Sequence, residues 1–337
     1  MSLATKYRPQ KWDEVVSNDS IIKILTLQSR ENRLHNTYIF SGASGCGKTT
    51  VARIFANEIN HYQGHPIEID AASNNGVDNV KQIVASASER SIDSEYKIYI
   101  IDEAHMLTTQ AWNALLKTIE EPPKYTIFIF CTTDPQKIPD TIKNRCMRFN
   151  FTRIPSNLIK DRLMYISSQE GFTNYDESCD YISRICNGEM RNGISMLETC
   201  SNFDTNLSIE NTIKALGNFS YDIYFDLINN LVDRKIDNVY NIITQIYNDG
   251  NDLKLFVNNF LSFVIDIQKY MICTNISATK FPSSLEKSIQ YSIGFDNAAK
   301  YYFYLVDKLM SLKSMLVNDN DVKSTVEVIF SQICRCV

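Results

Sequence analysis

The chain has 337 residues, 44% of them hydrophobic and 22% charged, with a formal net charge of −5. That length and balance suit a globular protein of two or three domains with apolar cores; the mild acidity excludes a protein that grips nucleic acid through overall charge, so any DNA contact must come from one local face or from several subunits together. No apolar run approaches bilayer length and no signal-peptide pattern opens the chain; the cysteines, at 46, 131, 146, 179, 186, 200, 273, 334 and 336, contain no C-x-x-C pair, which argues against a disulfide frame or a zinc site and for reduced, mostly buried thiols in a cytoplasmic protein.

In chain order, the first predicted element is a short buried strand, Thr37-Tyr38-Ile39-Phe40-Ser41. It leads into Gly42-Ala43-Ser44-Gly45-Cys46-Gly47-Lys48-Thr49, a complete G-x-x-x-x-G-K-T loop, and then into a helix from Thr50 with Val51, Ile54 and Phe55 on one face. Gly42, Gly45 and Gly47 allow backbone N–H groups, with those of Cys46 and Thr50 among them, to wrap phosphate oxygens at the positive end of the helix dipole. Lys48 supplies a point charge for the β- and γ-phosphates, and the Thr49 hydroxyl is placed to ligate Mg²⁺. A chance glycine turn could match the pattern, but it would lack these strand and helix flanks. The loop implies a nucleoside triphosphate site.

Further strands are expected at Pro66-Ile67-Glu68-Ile69-Asp70, Lys97-Ile98-Tyr99-Ile100-Ile101, Thr126-Ile127-Phe128-Ile129-Phe130 and Met147-Arg148-Phe149-Asn150-Phe151. Most lack strict alternation, as strands covered on both faces should. Between them, Val77, Val80, Val84 and Ala87 recur at helical spacing, and a helix over Thr109–Glu120 turns Ala111, Leu115, Leu116 and Ile119 inward before Pro122-Pro123 stops it. Alternating strands and helices predict an α/β domain on a parallel sheet. After Ile154-Pro155 the pattern is helical, with short segments broken near Gly171, Asn187-Gly188 and Asn202. Longer helices follow, one with Leu253, Phe256, Val257, Phe260, Leu261, Val264 and Ile267 in a single stripe after the start signal Gly250-Asn251-Asp252. Residues 274–284 read as a loop.

The strand Lys97–Ile101 ends in Asp102-Glu103-Ala104-His105, and acidic residues at the carboxyl end of a parallel strand sit beside the phosphate crevice. Asp102 can hold Mg²⁺ through water and Glu103 can polarise an attacking water. His105 reads more readily as a hydrogen-bonded structural histidine. Thr132-Thr133 after the next strand is either turn chemistry or a hydroxyl that orients water, and Arg145 is either a surface charge or a functional one.

Lys6-Tyr7-Arg8-Pro9-Gln10, Val15-Val16, the phosphate loop, Glu68-Ile69-Asp70-Ala71-Ala72-Ser73, Asp102-Glu103-Ala104-His105-Met106-Leu107, Asn113 to Pro123, Thr132 to Lys137, Asn144-Arg145-Cys146 and Gly188-Glu189-Met190-Arg191 follow one another in order. Together they resemble the gamma/tau subunits of the bacterial DNA polymerase III clamp loader, AAA+ ATPases akin to the small subunits of replication factor C. The resemblance implies an AAA+ P-loop NTPase domain (1–154), a small helical lid (155–216) and an all-helical collar (217–337) that holds subunits in a pentameric ring. It implies ATP and Mg²⁺ as cofactors, the latter on Thr49 and Asp102, and a sliding clamp, primer–template DNA and other loader subunits as partners. Tyr7, Arg8, Val15 and Val16 would line the nucleotide cleft. Thr133 would be the first sensor, Arg191 the second, and Arg145 an arginine finger reaching the ATP of a neighbouring subunit. The helix beginning near Gly76-Val77, with Lys81, would face DNA phosphates.

Three departures stand out. The cysteine zinc module of those relatives is absent, and His61 and His65 alone make no zinc site. Their Gly-Gln after Val-Val is replaced by Ser17-Asn18, and the long tau tail is missing, as in a minimal motor of a bacterial or phage-infected cell. The rival readings are a non-hydrolysing structural subunit of the same ring, which intact Lys48, Asp102, Glu103 and Arg145 disfavour, and a branch-migration helicase. The helicase would need a winged-helix region at the C-terminus, where Ala298–Leu312, with Tyr301, Tyr302, Phe303 and Tyr304, reads as helical packing or an interface.

Overall fold

Apolar runs too short for helices pair here into one parallel sheet. The computed structural model describes residues 1–217 and 219–335, so Cys336 lies outside the described residues. Strands β1 (Thr37–Gly42), β2 (Ile67–Asp70), β3 (Lys97–Asp102), β4 (Thr126–Thr132) and β5 (Met147–Phe151) form a five-stranded sheet in the order β2-β3-β4-β1-β5, with every pairing parallel. The helices of this region are α1 (Leu3–Lys6), α2 (Asp19–Arg30), α3 (Lys48–Ile59), α4 (Val77–Ala87), α5 (Thr109–Glu120) and α6 (Asp140–Lys143).

Successive strand side chains point to opposite faces. Tyr38, Phe40, Ile98, Ile100, Ile127 and Ile129 pack with α2 and α3, whereas Ile39, Tyr99, Ile101, Phe128 and Phe130 pack with α4 and α5. Double coverage explains why the three inner strands read as unbroken apolar runs. The edge strands depart from it. In β5, Phe149 and Phe151 are buried while Arg148 and Asn150 are exposed, and β2 leaves even Ile67 exposed, because an edge strand has one neighbour and less cover. Helix α5 starts where the Thr108 hydroxyl accepts the Ala111 N–H, at 3.2 Å. It buries Trp112 against Phe130, with ring centroids 5.2 Å apart, besides the expected Ala111, Leu115 and Ile119; Leu116 is only half-buried.

Beyond β5 the described residues form α7 (Ser156–Gln169), α8 (Asp176–Ile185), α9 (Met190–Phe203), α10 (Ile209–Ala215), α11 (Tyr221–Val232), α12 (Ile236–Asn248), α13 (Leu253–Cys273), α14 (Glu286–Ser292), α15 (Ala298–Met315) and α16 (Val322–Arg335), with an isolated bridge between Thr173 and Asn206. Two compact units result, Met1–Leu163 with Cys186–Ser195, and Met164–Ile185 with Met196–Val337; the divisions fall inside α7 and α9. Within the second unit, α13 buries its whole predicted stripe, and α15 contributes Tyr301, Tyr302, Leu305, Leu309 and Leu312 to the same core while Phe303 is exposed. Asp252 caps α13, accepting the Lys254 N–H at 2.7 Å. The segment expected as a loop contains short turns at Ile276–Ala278 and Ser283–Leu285, and its Phe281 is 1% exposed between Tyr221 and Phe263. Among the described residues no helix is long and apolar enough to cross a membrane.

Candidate functional site

A parallel sheet collects the carboxyl ends of its strands along one edge. Here Gly42 lies opposite Phe151, Ser41 opposite Thr132, and Asp70 opposite Asp102. The phosphate loop, Asp102-Glu103 and Thr132-Thr133 therefore share that edge. Gly42 has φ +152°, and a Cβ there would collide with the Phe151 carbonyl oxygen; Gly47 has φ +100° with nothing within 4 Å of a Cβ, so it opens the turn into α3 without filling the space above it.

Lys48 is 6% exposed, and its Nζ donates to the Gly42 carbonyl at 2.9 Å and the Ala43 carbonyl at 2.8 Å. A buried ammonium held by neutral carbonyls gains strongly from an anion brought within reach. Thr49 Oγ1 donates to Asp102 Oδ2 at 2.9 Å, and Asp102 Oδ1 accepts the Glu103 N–H at 3.0 Å. The Glu103 backbone is left-handed, with φ 46°, and its Oε2 accepts from Thr133 Oγ1 at 3.2 Å. His105 Nδ1 lies 3.3 Å from the same oxygen.

Lys48, Thr49, Asp102 and Glu103 border a cavity of about 320 Å³. Of the residues expected at the site, Tyr7, Arg8, Val15, Val16, Gly45, Cys46, Gly47, Lys48, Thr49, Thr50, Asp102, Glu103 and Arg191 line it. Gly42 and Thr133 stand behind that lining, through Lys48 and Glu103 respectively. Arg191 is held there because the Met190 N–H donates to the Gly45 carbonyl at 3.1 Å, joining the start of α9 to the loop. Arg8 Nε donates to Thr50 Oγ1 at 3.2 Å. Burial pushes the Arg8 pKa below its ordinary value, and the positive charges of Arg53 and Arg191 push the same way against Glu68 and Asp102. Cations crowded in this way favour a polyanion between them. The Cys46 thiol is 2% exposed and pushed up in pKa by burial, so its part is played by its backbone.

Arg145 is the expected site residue that stands apart. It lines no part of the cavity; its Nη2 pairs with Glu120 at 2.7 Å and its Nη1 donates to the Thr141 carbonyl at 2.6 Å. The Thr37 hydroxyl donates to the Arg145 carbonyl at 2.8 Å, which fixes Arg145 at the amino end of β1. Sequence reasoning missed Arg162, which lines the cavity and donates to the Tyr7 carbonyl at 3.0 Å. A lone arginine on an amphipathic helix carries no mark in the sequence that separates it from a solvated one.

Among the described residues no group of three or more His, Cys, Asp and Glu side chains is arranged to hold a metal ion. The paired Thr49 hydroxyl and Asp102 carboxylate do suit magnesium, which takes hard oxygen ligands, usually one or two from protein with phosphate oxygens and water as the rest.

The family model described as DNA polymerase III, delta subunit matches residues 59–155. The gamma/tau subunit of Mycoplasma genitalium DNA polymerase III is 33% identical over 89% of this chain and 53% of its own length. The tau subunit of Bacillus subtilis is 30% identical over 98% of this chain and 62% of its own. The chain thus spans between about half and two-thirds of these relatives. Among solved structures, the Thermotoga maritima RuvB Holliday junction branch migration motor superposes with a TM-score of 0.53 at 15% identity, covering 73% of this chain and 86% of that one, a likeness of fold. By its sequence along nearly its whole length, the chain belongs to the family of the bacterial DNA polymerase III gamma/tau subunits.

Proposed function

We propose that this chain is the ATP-hydrolysing motor subunit of a sliding-clamp loader, which opens a ring-shaped clamp and sets it on primer–template DNA. The observation that carries this reading is the linked set Thr49–Asp102 and Glu103–Thr133 at the mouth of an intact phosphate loop, in a chain similar along nearly its whole length to a DNA polymerase III tau subunit. In this reading residues 1–154 are the motor domain, 155–216 the lid and 217–337 the collar of a pentameric ring acting in the cytoplasm.

Lys48 exchanges the Gly42 and Ala43 carbonyls for β- and γ-phosphate oxygens, at little cost because the ammonium is already desolvated. Tyr7, Arg8, Val15 and Val16 enclose the remainder of the nucleotide. Thr49 and Asp102 would hold Mg²⁺, which when bound would supply neutralisation of phosphate charge. Glu103 orients the attacking water and accepts its proton, with Thr133 fixing one carboxylate oxygen. Arg191 contacts the γ-phosphate of its own subunit, and Arg145 completes the pocket of a neighbour.

Steady-state hydrolysis measured with clamp and primed DNA, together and separately, tests the reading. Turnover should rise with both present, and Glu103→Gln should lower kcat by about 10²-fold or more while nucleotide still binds. Absence of stimulation at both low and moderate salt, or full turnover by Glu103→Gln, overturns it.

A further inference from the structure

Glu103 is two-fifths exposed, whereas the His105 ring beside it is 12% exposed. A carboxylate so open to solvent explores several rotamers unless something holds it. Its Oε2 is approached by two groups, Thr133 Oγ1 at 3.2 Å and His105 Nδ1 at 3.3 Å. The same Nδ1 lies 3.2 Å from Thr132 Oγ1, and that oxygen also accepts the Asp134 N–H at 3.0 Å. A lone pair on Nδ1 would face a carboxylate oxygen and would be repelled by it. The hydrogen therefore sits on Nδ1, shared between Thr132 Oγ1 and Glu103 Oε2.

Thr132 is the last residue of β4 and fully buried, so the ring is tied to a strand that is buried along its whole length. Backbone geometry works in the same direction: a left-handed Glu103 followed by the turn Ala104–Met106 brings residues 103 and 105 to one side. Both donors take Oε2, so Oε1 is the oxygen presented to water.

We propose that His105 is a positioning residue for hydrolysis. It transmits the fixed position of Thr132 to the Glu103 carboxylate and so holds Oε1 at the attacking water. The proposal rests on the reading of Glu103 as the group that orients that water. The role is one of geometry: His105 touches neither nucleotide nor water, and its loss acts on the chemical step while leaving binding intact.

The test is ATP hydrolysis by the full chain in its assembled complex, resolved into kcat and KM. His105→Ala should lower kcat by about 10-fold or more with KM changed less than about threefold, as expected for a misplaced catalytic group. His105→Asn keeps an N–H donor near the place of Nδ1 and should recover most of that loss. An unchanged kcat in His105→Ala, or an Asn variant as slow as the Ala variant at equal thermal stability, overturns the proposal. Should His105→Ala fail to fold, Thr132→Val, which removes the ring's anchor, decides the matter: a kcat loss with unchanged KM supports the proposal and parental turnover overturns it. Glu103→Gln is measured alongside. A Gln variant at full speed sinks the reading of Glu103 itself, whereas a slow Gln variant with a fully active His105→Ala sinks only the role of His105.

Discussion

Ser17 and Asn18 are consecutive non-glycine residues in the left-handed region, with φ 74° and 66°. For an L-residue that conformation costs roughly 1–2 kcal/mol. Asn18 offsets its share, because its Oδ1 accepts the Thr152 N–H at 3.1 Å and lies 3.3 Å from the Thr152 hydroxyl. Among the described residues Ser17 makes no such side-chain bond, at the position where the gamma/tau pattern has glycine. Ser17→Gly should therefore raise the stability of the first unit by about 0.5–1 kcal/mol, the relief of strain exceeding the added freedom of the unfolded chain. Urea unfolding measures this, and a lower midpoint for the variant would contradict it. The strain adjoins Val15 and Val16, which line the nucleotide cavity, so it is stored beside the site.

At the scale of elements, one side chain organises the segment 274–284, which reads as a loop in the sequence. Arg184 of α8 pairs with Asp180 at 2.8 Å and donates from Nη1 to the carbonyls of Ile276 at 3.1 Å and Phe281 at 2.7 Å. Its side chain is 12% exposed. Removing it strands a half-buried carboxylate and frees carbonyls that hold Phe281 among aromatic rings. Arg184→Ala should cost about 3 kcal/mol, and Arg184→Lys should rescue little, since an ammonium cannot reproduce the fork that reaches these partners. Equal stability of the Lys variant and the parent in denaturant titration would rule this out. The sequence could not announce this contact, because it joins residues nearly a hundred positions apart. The same limit hid Arg162. The inner strands, α5 and the stripe of α13 were legible because each declares itself within a few residues, by an apolar run, a cap or a helical period. Likewise the loop Gly42–Thr49 and Asp102-Glu103 carry their chemistry in contiguous letters. Helix α2 carries no such mark: its burial rests on Ile21 and Leu25, and its N-terminus has Asn18 in a left-handed conformation with no side-chain cap bond.

Across the whole molecule, the separation of Arg145 from the cavity carries the largest consequence. Arg145 sits level with Thr37, and the strand runs on to Gly42 before the phosphate loop begins. At about 3.3 Å per residue this places roughly 16 Å between them, more than an arginine side chain spans. In the proposed ring Arg145 therefore serves the next subunit, through a head-to-tail contact of two different surfaces. Arg145→Ala should lower turnover of the assembled complex by about 10³-fold with little change in nucleotide affinity. Parental turnover in that variant, or equal turnover by a dilute monomer and the assembly, would count decisively against a shared site. A shared site also has an arithmetic signature when parent and variant protomers are blended. Protomers lacking only Lys48, or only Arg145, each silence one site, and activity falls in proportion to the fraction of parent. A protomer lacking both silences two, its own and the next, so activity falls as the square of that fraction.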